Sequence, residues 1–321
     1  MNLLQRLLSR LDGLHYKQEY LCFPRESLNH PLQVYLSNDG QLTKDITDIH
    51  AFVGYKPLLF ALEASIADTA DISLTFIQPR QHQNEIYAEK DAIAKLVLQK
   101  TASLDSGHGL VNFYEGKSGY HRFISSFHQY IIGLQNRLFQ QKPGNVFLAR
   151  DLYTQVQIAY SLPRSISLIT VGKDESYNCF PTDLHGAIGQ NLYVVSLRHQ
   201  GKACQQVIHS GRIVISQVES RFYKTVYGLG KNHMQELKSK EKFPFSERHS
   251  SHFNLPLPQE ATRVRELELI DNINVGIHKL MLFRVVSDTA SVSSATSLAH
   301  VHNVYATWRK NRQLGGNFLL R

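Results

Sequence analysis

The chain opens with Leu3, Leu4, Leu7, Leu8, Leu11 and Leu14 at helical spacing, with Arg6 and Arg10 among them. Those arginines break the continuous apolar run that a signal peptide or membrane span requires. The pattern predicts an amphipathic helix docked on the protein's own core or on a second subunit. "LQVYL" (Leu32–Leu36) and "DISLTFI" (Asp71–Ile77) alternate like strands. Between them "KPLLFALEASI" places Pro57 where a first helical turn tolerates it, and its apolar spacing predicts a helix. A second helix is expected from Asn84 to Leu104, on Ile86, Ala92, Ile93, Leu96 and Leu98. A third is expected from Tyr120 to Gln140, on Phe123, Phe127, Ile131, Leu134 and Leu138. The first half thus reads as an α-rich domain, residues 1–145. It ends at the Pro143–Gly144 break in "QQKPGN", with "VFLARDLYTQVQIAYSL" a helix bridging to the second half.

From residue 146 to 321 the period changes. "SISLITVG", "LYVVSLRH", "RIVISQV", "TRVRELELI", "GIHKLMLFRVV" and "NVYATWR" all read as strands with only brief helical patterns between them. That spacing favours a barrel or sandwich over a repeated βαβ sheet, and the fold class as a whole is α+β. No internal repeat of fixed length stands out. The stretch from Ser239 to Gln259, rich in aromatics and histidines, reads as an excursion: a surface loop, a dimer arm or a pocket lid.

Of the 321 residues, 42% are hydrophobic and 19% charged, which excludes a disordered chain. The net charge of +8 suits phosphate-bearing ligands, nucleic acid or an acidic membrane surface without choosing among them. Cys22, Cys179 and Cys204 form neither a CxxC pair nor a disulfide framework, which points to a reducing, cytoplasmic setting. There is no GxGxxG fingerprint, P-loop, GxSxG elbow or HExxH helix. His249 and His252, like His185, His199 and His209, lack the company a metal site needs, so no metal is expected. Without an RNP-type aromatic motif or a helix-turn-helix, no specific nucleic-acid partner is expected either.

One constellation remains, between Cys179 and Val218. If Leu192–Leu197 is a strand, Ser196 and Arg198 stand near its exit. "HQGKACQQVI" then turns into a short helix carrying Cys204, Val207 and Ile208 inward. The first N–H groups of that helix lack intrahelical acceptors, and Arg198 and Lys202 add positive charge, so the turn suits a phosphate. It reads as well as a solvated basic turn. Asn178, Thr182 and nearby main-chain groups could meet the polar edge of a planar heterocycle, while Phe180 and Pro181 could simply fix the loop. Cys179 and Cys204 read either as reactive thiols or as space-filling residues.

The order "LPRSISLITVG", then "NCFPTDLHGAIGQNLYVVSLRHQGKACQQVIHSGRIVISQV", then "GIHKLMLFRVV" resembles the flavin reductase-like, FMN-binding split-barrel family over about half the chain, all of it C-terminal. The resemblance implies a C-terminal split β-barrel with FMN lined by Asn178, Cys179, Phe180, Pro181, Thr182 and Asp183. It implies Ser196, Leu197, Arg198, Lys202, Ala203 and Cys204 around the ribityl phosphate. His278 matches a histidine that enters a late barrel strand near the flavin or the reducing substrate, and is the candidate catalytic residue; the alternative is a core or dimer-interface histidine. Cys204 stands where the family often has a hydroxyl, and Gly189–Leu192 replaces a proline-rich strand entry. The implied activity is an FMN-dependent oxidoreductase taking hydride from NADH or NADPH and passing electrons to a small-molecule acceptor or redox protein. The implied assembly is a homodimer with FMN near the subunit interface. The alternative is a non-catalytic FMN-binding or electron-relay protein.

Overall fold

The computed structural model describes residues 3–79, 87–107, 109–139, 147–189, 191–290, 296–316 and 318. After helix α1 (Leu3–Leu11) come strands β1 (Tyr20–Pro24), β2 (Gln33–Asn38), β3 (Gln41–Asp45), β4 (Ala51–Tyr55), β5 (Leu58–Glu63), β6 (Asp71–Ile77), β7 (Ala92–Asp105) and β8 (Leu110–His121). Helices α2 (Ser126–Phe139) and α3 (Arg150–Ala159) lead to β9 (Arg164–Ser165), β10 (Ser167–Lys173), β11 (Ser176–Thr182), β12 (His185–Ile188) and β13 (Leu192–Arg198). Then follow α4 (Lys202–Ser210), β14 (Arg212–Val218), α5 (Tyr223–Gly228), β15 (Lys238–Ser239), β16 (Phe245–His249), β17 (Pro256–Pro258), β18 (Ala261–Val275), β19 (His278–Ala290), β20 (Leu298–His302) and α6 (Asn303–Asn311).

Two large antiparallel sheets result. The first runs β3-β2-β6-β7-β8-β5-β4. The second, read from β11, runs β11-β10-β14-β18-β19-β13-β12, with β15 outside β11. Matching β2 to β10 and continuing through the chain makes the two orders the same. Details repeat as well. The β2–β3 turn is Asp39–Gly40 and the β10–β11 turn is Asp174–Glu175, all four at positive φ, the backbone of a two-residue hairpin turn. Each central hairpin, β7–β8 and β18–β19, is interrupted by two register shifts. The halves differ in their connections: β5 reaches β6 without a helix where β13 reaches β14 through α4, and the β14–β18 link carries everything from α5 to β17.

The two sheets share a core. Ala51, Val53, Leu59 and Phe113 of the first pack with Ile188, Val194, Leu280 and Leu282 of the second. Backbones come close at this seam: a Cβ on Gly186 would lie 2.8 Å from that of Ala51. At the tip of β18–β19, Gly276 (φ +58°) lies against Lys56 and Pro57, and Ile277 N–H donates to the Lys56 carbonyl at 3.2 Å. A small sheet, β1-β20-β9, joins the ends of the chain.

The expected α-rich first half is therefore mostly strand. "LLFALE" is buried on both faces between β4 and β8, and such a run has no period to separate strand from helix. β7 alternates, with Ala92, Ala94, Leu96 and Leu98 buried, but its 14 residues have the length of a helix. Ile86 lies outside the described residues. In the third expected helix, Tyr120 still belongs to β8, the helix begins at Ser126, and Gln140 lies outside the described residues. The α1, bridging and α2 helices form, α1 with only Leu8 buried. "NVYATWR", expected as a strand, is the start of α6. Asn303–Arg309 are all buried, so neither alternation nor a stripe marks it.

Candidate functional site

The pairing of β11 with β10 and of β13 with β19 brings the residues singled out in the sequence to one region, around the outer edge of β11, the exit of β13 and the first turn of α4. Most of them face inward. Asn178, Cys179, Phe180 and Ala203 are fully buried, and Ser196, Leu197 and Cys204 nearly so. Burial pushes the Cys179 thiol up to about 12 and raises that of Cys204, which disfavours the reactive thiolate at both.

The edge of β11 is already engaged. The Leu229–Met234 turn lies along it: Asn232 Nδ2 donates to the Cys179 carbonyl at 2.8 Å, and His233 Nε2 donates to the Pro181 carbonyl at 2.7 Å. Asn178 Nδ2 donates to Gln206 of α4 at 2.7 Å and to the Asn232 carbonyl at 3.0 Å, while its buried Oδ1 has no partner. A Cβ on Gly201, the residue before α4, would lie 3.4 Å from the His233 carbonyl and 3.9 Å from Met234. Lys202 pairs with Glu236, and Arg198 Nε donates to the Tyr55 hydroxyl at 2.8 Å.

Asp183 is the hub of a buried polar chain that sequence reasoning missed. Its Oδ2 accepts from Tyr160 at 3.0 Å and from His300 Nδ1 at 2.8 Å, and His300 Nε2 meets the Tyr227 hydroxyl. Burial works to raise the Asp183 carboxyl, but the hydrogen bond and charge of His300, with Tyr160, hold it below its usual range. Thr182 and Asp183 reach a cavity of about 390 Å³ walled by Tyr227, Lys231 and His300. No local motif announces this chain, since its members are far apart in sequence.

His278 is wholly buried at the seam. Nε2 accepts from the Tyr55 and Lys56 N–H groups at 3.2 and 3.4 Å, so the ring proton is on Nδ1, which faces Ser196 Oγ at 3.2 Å. Burial first, then the charge of Arg198, lowers its pKa to about 4. It holds a hairpin of one half against a strand of the other.

No protein-family model matches this chain, and no curated protein does. Solved structures match about half of it. Among them are flavin reductases and FMN-binding proteins. The FMN-binding protein of Thermus thermophilus with bound p-hydroxybenzaldehyde matches at 20% identity and TM-score 0.38, over 44% of this chain and 86% of its own. The NADH:FAD oxidoreductase of Streptomyces globisporus C-1027 matches at 14% and 0.41, over 49% and 94%. The flavin reductase component of a bacterial two-component tryptophan halogenase matches at 15% and 0.41, over 48% and 95%. Likeness at this level carries no activity from those proteins to this chain. No described helix is long and apolar enough to cross a membrane.

Proposed function

We propose that the chain is a flavin-dependent oxidoreductase of the flavin reductase-like split-barrel type, in which one chain supplies two sheets of the same strand order. The observation that supports this is the pair of sheets of identical order meeting at a common core beside the β13–α4 turn. A homodimer is then not needed to bring two sheets together. FMN would lie against Pro181, Thr182 and Asp183, its phosphate toward Arg198, Lys202 and the Ala203 N–H, with Cys204, whose N–H donates to the Gly201 carbonyl at 3.1 Å, behind it. Asn178, Cys179, Phe180, Ser196 and Leu197 form the wall behind. The orphaned Asn178 Oδ1 fits a ligand N–H, whereas the Leu229–Met234 turn covers the same groove. Binding therefore requires Asn232 and His233 to release the Cys179 and Pro181 carbonyls. Bound FMN would supply hydride chemistry, accepting from NADH or NADPH and giving electrons to a small-molecule acceptor or redox protein. Asp183 accepts hydrogen bonds from Tyr160 and His300 at the edge of that groove, and His278 positions the Tyr55–Lys56 turn. The covering turn also favours a second reading, an FMN-binding or electron-relay protein whose flavin no nicotinamide can reach.

The test is the visible spectrum and released-cofactor mass of protein purified without added flavin, followed by FMN titration and anaerobic addition of NADH and NADPH. The N232A/H233A double variant is expected to bind FMN about tenfold more tightly, a gain of ~1.4 kcal/mol. Bleaching by either donor supports the reductase, and binding without bleaching supports the relay. If neither wild type nor variant takes up FMN at micromolar concentration, the flavin proposal fails.

A further inference from the structure

A large cavity lies elsewhere, where the loop after β3 in one half faces β12 of the other. It has a volume of about 730 Å³, in the range of small-molecule sites. At its floor is Arg164, only 8% exposed. Its Nε and Nη2 both donate to one acceptor, the Ala159 carbonyl at the end of α3, at 2.9 and 2.6 Å. The guanidinium lies over Phe52 and Phe60, 4.8 and 5.7 Å from their centroids. Among the described residues no carboxylate forms an ion pair with it. A cation taken out of water without an ion-pair partner is costly, and burial pulls Arg164 down to about 9, against the opposing charges of Tyr160 and Asp183.

Beside it His50 presents a second unmet group. Its Nδ1 donates to the Ile46 carbonyl at 2.6 Å, which leaves Nε2 as a bare acceptor, and that buried nitrogen has no partner. The mouth adds Arg25, exposed, together with Arg263 and Arg265, which share the single carboxylate of Asp288. The aspartates at the cavity differ in availability: Asp183 is committed to Tyr160 and His300, while Asp45 and Asp48 are exposed at the rim. A buried cation with no ion-pair partner among the described residues, a bare acceptor beside it and exposed carboxylates at the mouth together describe a ligand that is anionic at one end and rich in hydroxyl donors at the other.

We propose that this cavity binds a phosphate ester of a polyhydroxylated molecule, with the phosphate on Arg164 and a ligand hydroxyl donating to His50 Nε2. A phosphate of this kind belongs to a free sugar phosphate or to a nucleotide, and the two are separable. The site does not depend on the flavin assignment, because it shares only Asp183 with the groove at β11.

The experiment is calorimetric titration of the full chain with ribose 5-phosphate, ribose, FMN and riboflavin. Ribose 5-phosphate is expected to bind and ribose not to. R164M should lose at least tenfold in affinity for the phosphate ester, and H50F about threefold. Without ligand R164M should melt higher than wild type, because a buried charge that serves a ligand weakens the empty fold; a residue kept only to cap α3 would melt lower when replaced. FMN binding that falls with R164M places a nucleotide phosphate here, whereas FMN binding that R164M spares leaves the cavity to a sugar phosphate; both support the site. R25A, at an exposed rim position, should weaken the ester about threefold and carries the test should R164M not fold. Absence of binding by ribose 5-phosphate and FMN alike, or unchanged binding of the ester in these variants, overturns the proposal.

Discussion

His278 and Asp183 show how far single residues could be read. Both entered as site residues through the family resemblance, and both sit at junctions. Their chemistry depends on partners far away in the chain, Tyr55 and Lys56 for the one and Tyr160 and His300 for the other. Spacing along the sequence does not contain those pairings. Arg164 was inside the quoted "LPRS" stretch, yet its isolation from carboxylates appears only when Phe52 and Phe60 close around it. H278F should leave two seam N–H groups unpaired and cost about 1–3 kcal/mol in urea unfolding, the usual penalty for a stranded buried donor. FMN affinity of the folded variant should change less than twofold. A fully stable H278F protein without turnover would instead put this ring in the chemistry.

Elements of the second half were legible because their strands are short apolar runs with only brief helical patterns between them; β10, β13, β14, β18 and β19 lie where the pattern put them. β5, β7 and α6 were not, since two are buried on all sides and the third has the length of a helix. The same tight packing makes one hairpin tip a sensitive point. In G276A the new Cβ would sit 2.2 Å from Pro57 Cδ and 2.4 Å from the Lys56 carbonyl, in addition to the strain at φ +58°. G211A, after α4, meets the strain of φ +66° but nothing within 4 Å. Thermal or urea unfolding should show G211A costing about 1 kcal/mol, the left-handed penalty alone, and G276A at least ~2 kcal/mol more, because backbone must move. Equal losses would mean that the tip is not held against Lys56 and Pro57.

At the scale of the molecule, the repeat escaped sequence inspection because it resides in strand order, while the connections that set sequence spacing differ between the halves. Four histidines inside this assembly, His50, His121, His185 and His278, have pKa values lowered to about 4, in each case chiefly by burial. They stay neutral in the fold but take up protons near pH 6.5 once unfolded. The unfolded chain therefore binds more protons between those values, and stability, full above pH 6.5, falls as pH drops toward 4. The melting temperature should fall by at least about 5 °C from pH 7 to pH 5. Glu266 follows at lower pH: despite burial, hydrogen bonds from Ser251, the Phe253 N–H, Ser250 and His252 hold it at about 2. A flat melting profile across pH 7 to 5 would contradict the neutral assignment. The pairing of β1 with β20 has a further consequence, for synthesis. Leu21 and Phe23 complete their strand only with Val301 and Ala299, and Arg309 donates to the His30 carbonyl across 279 residues. While the ribosome is still making the second sheet, the first must wait with β1 and part of its largest core uncovered, so newly made chains depend on protection until their final strand and helix emerge.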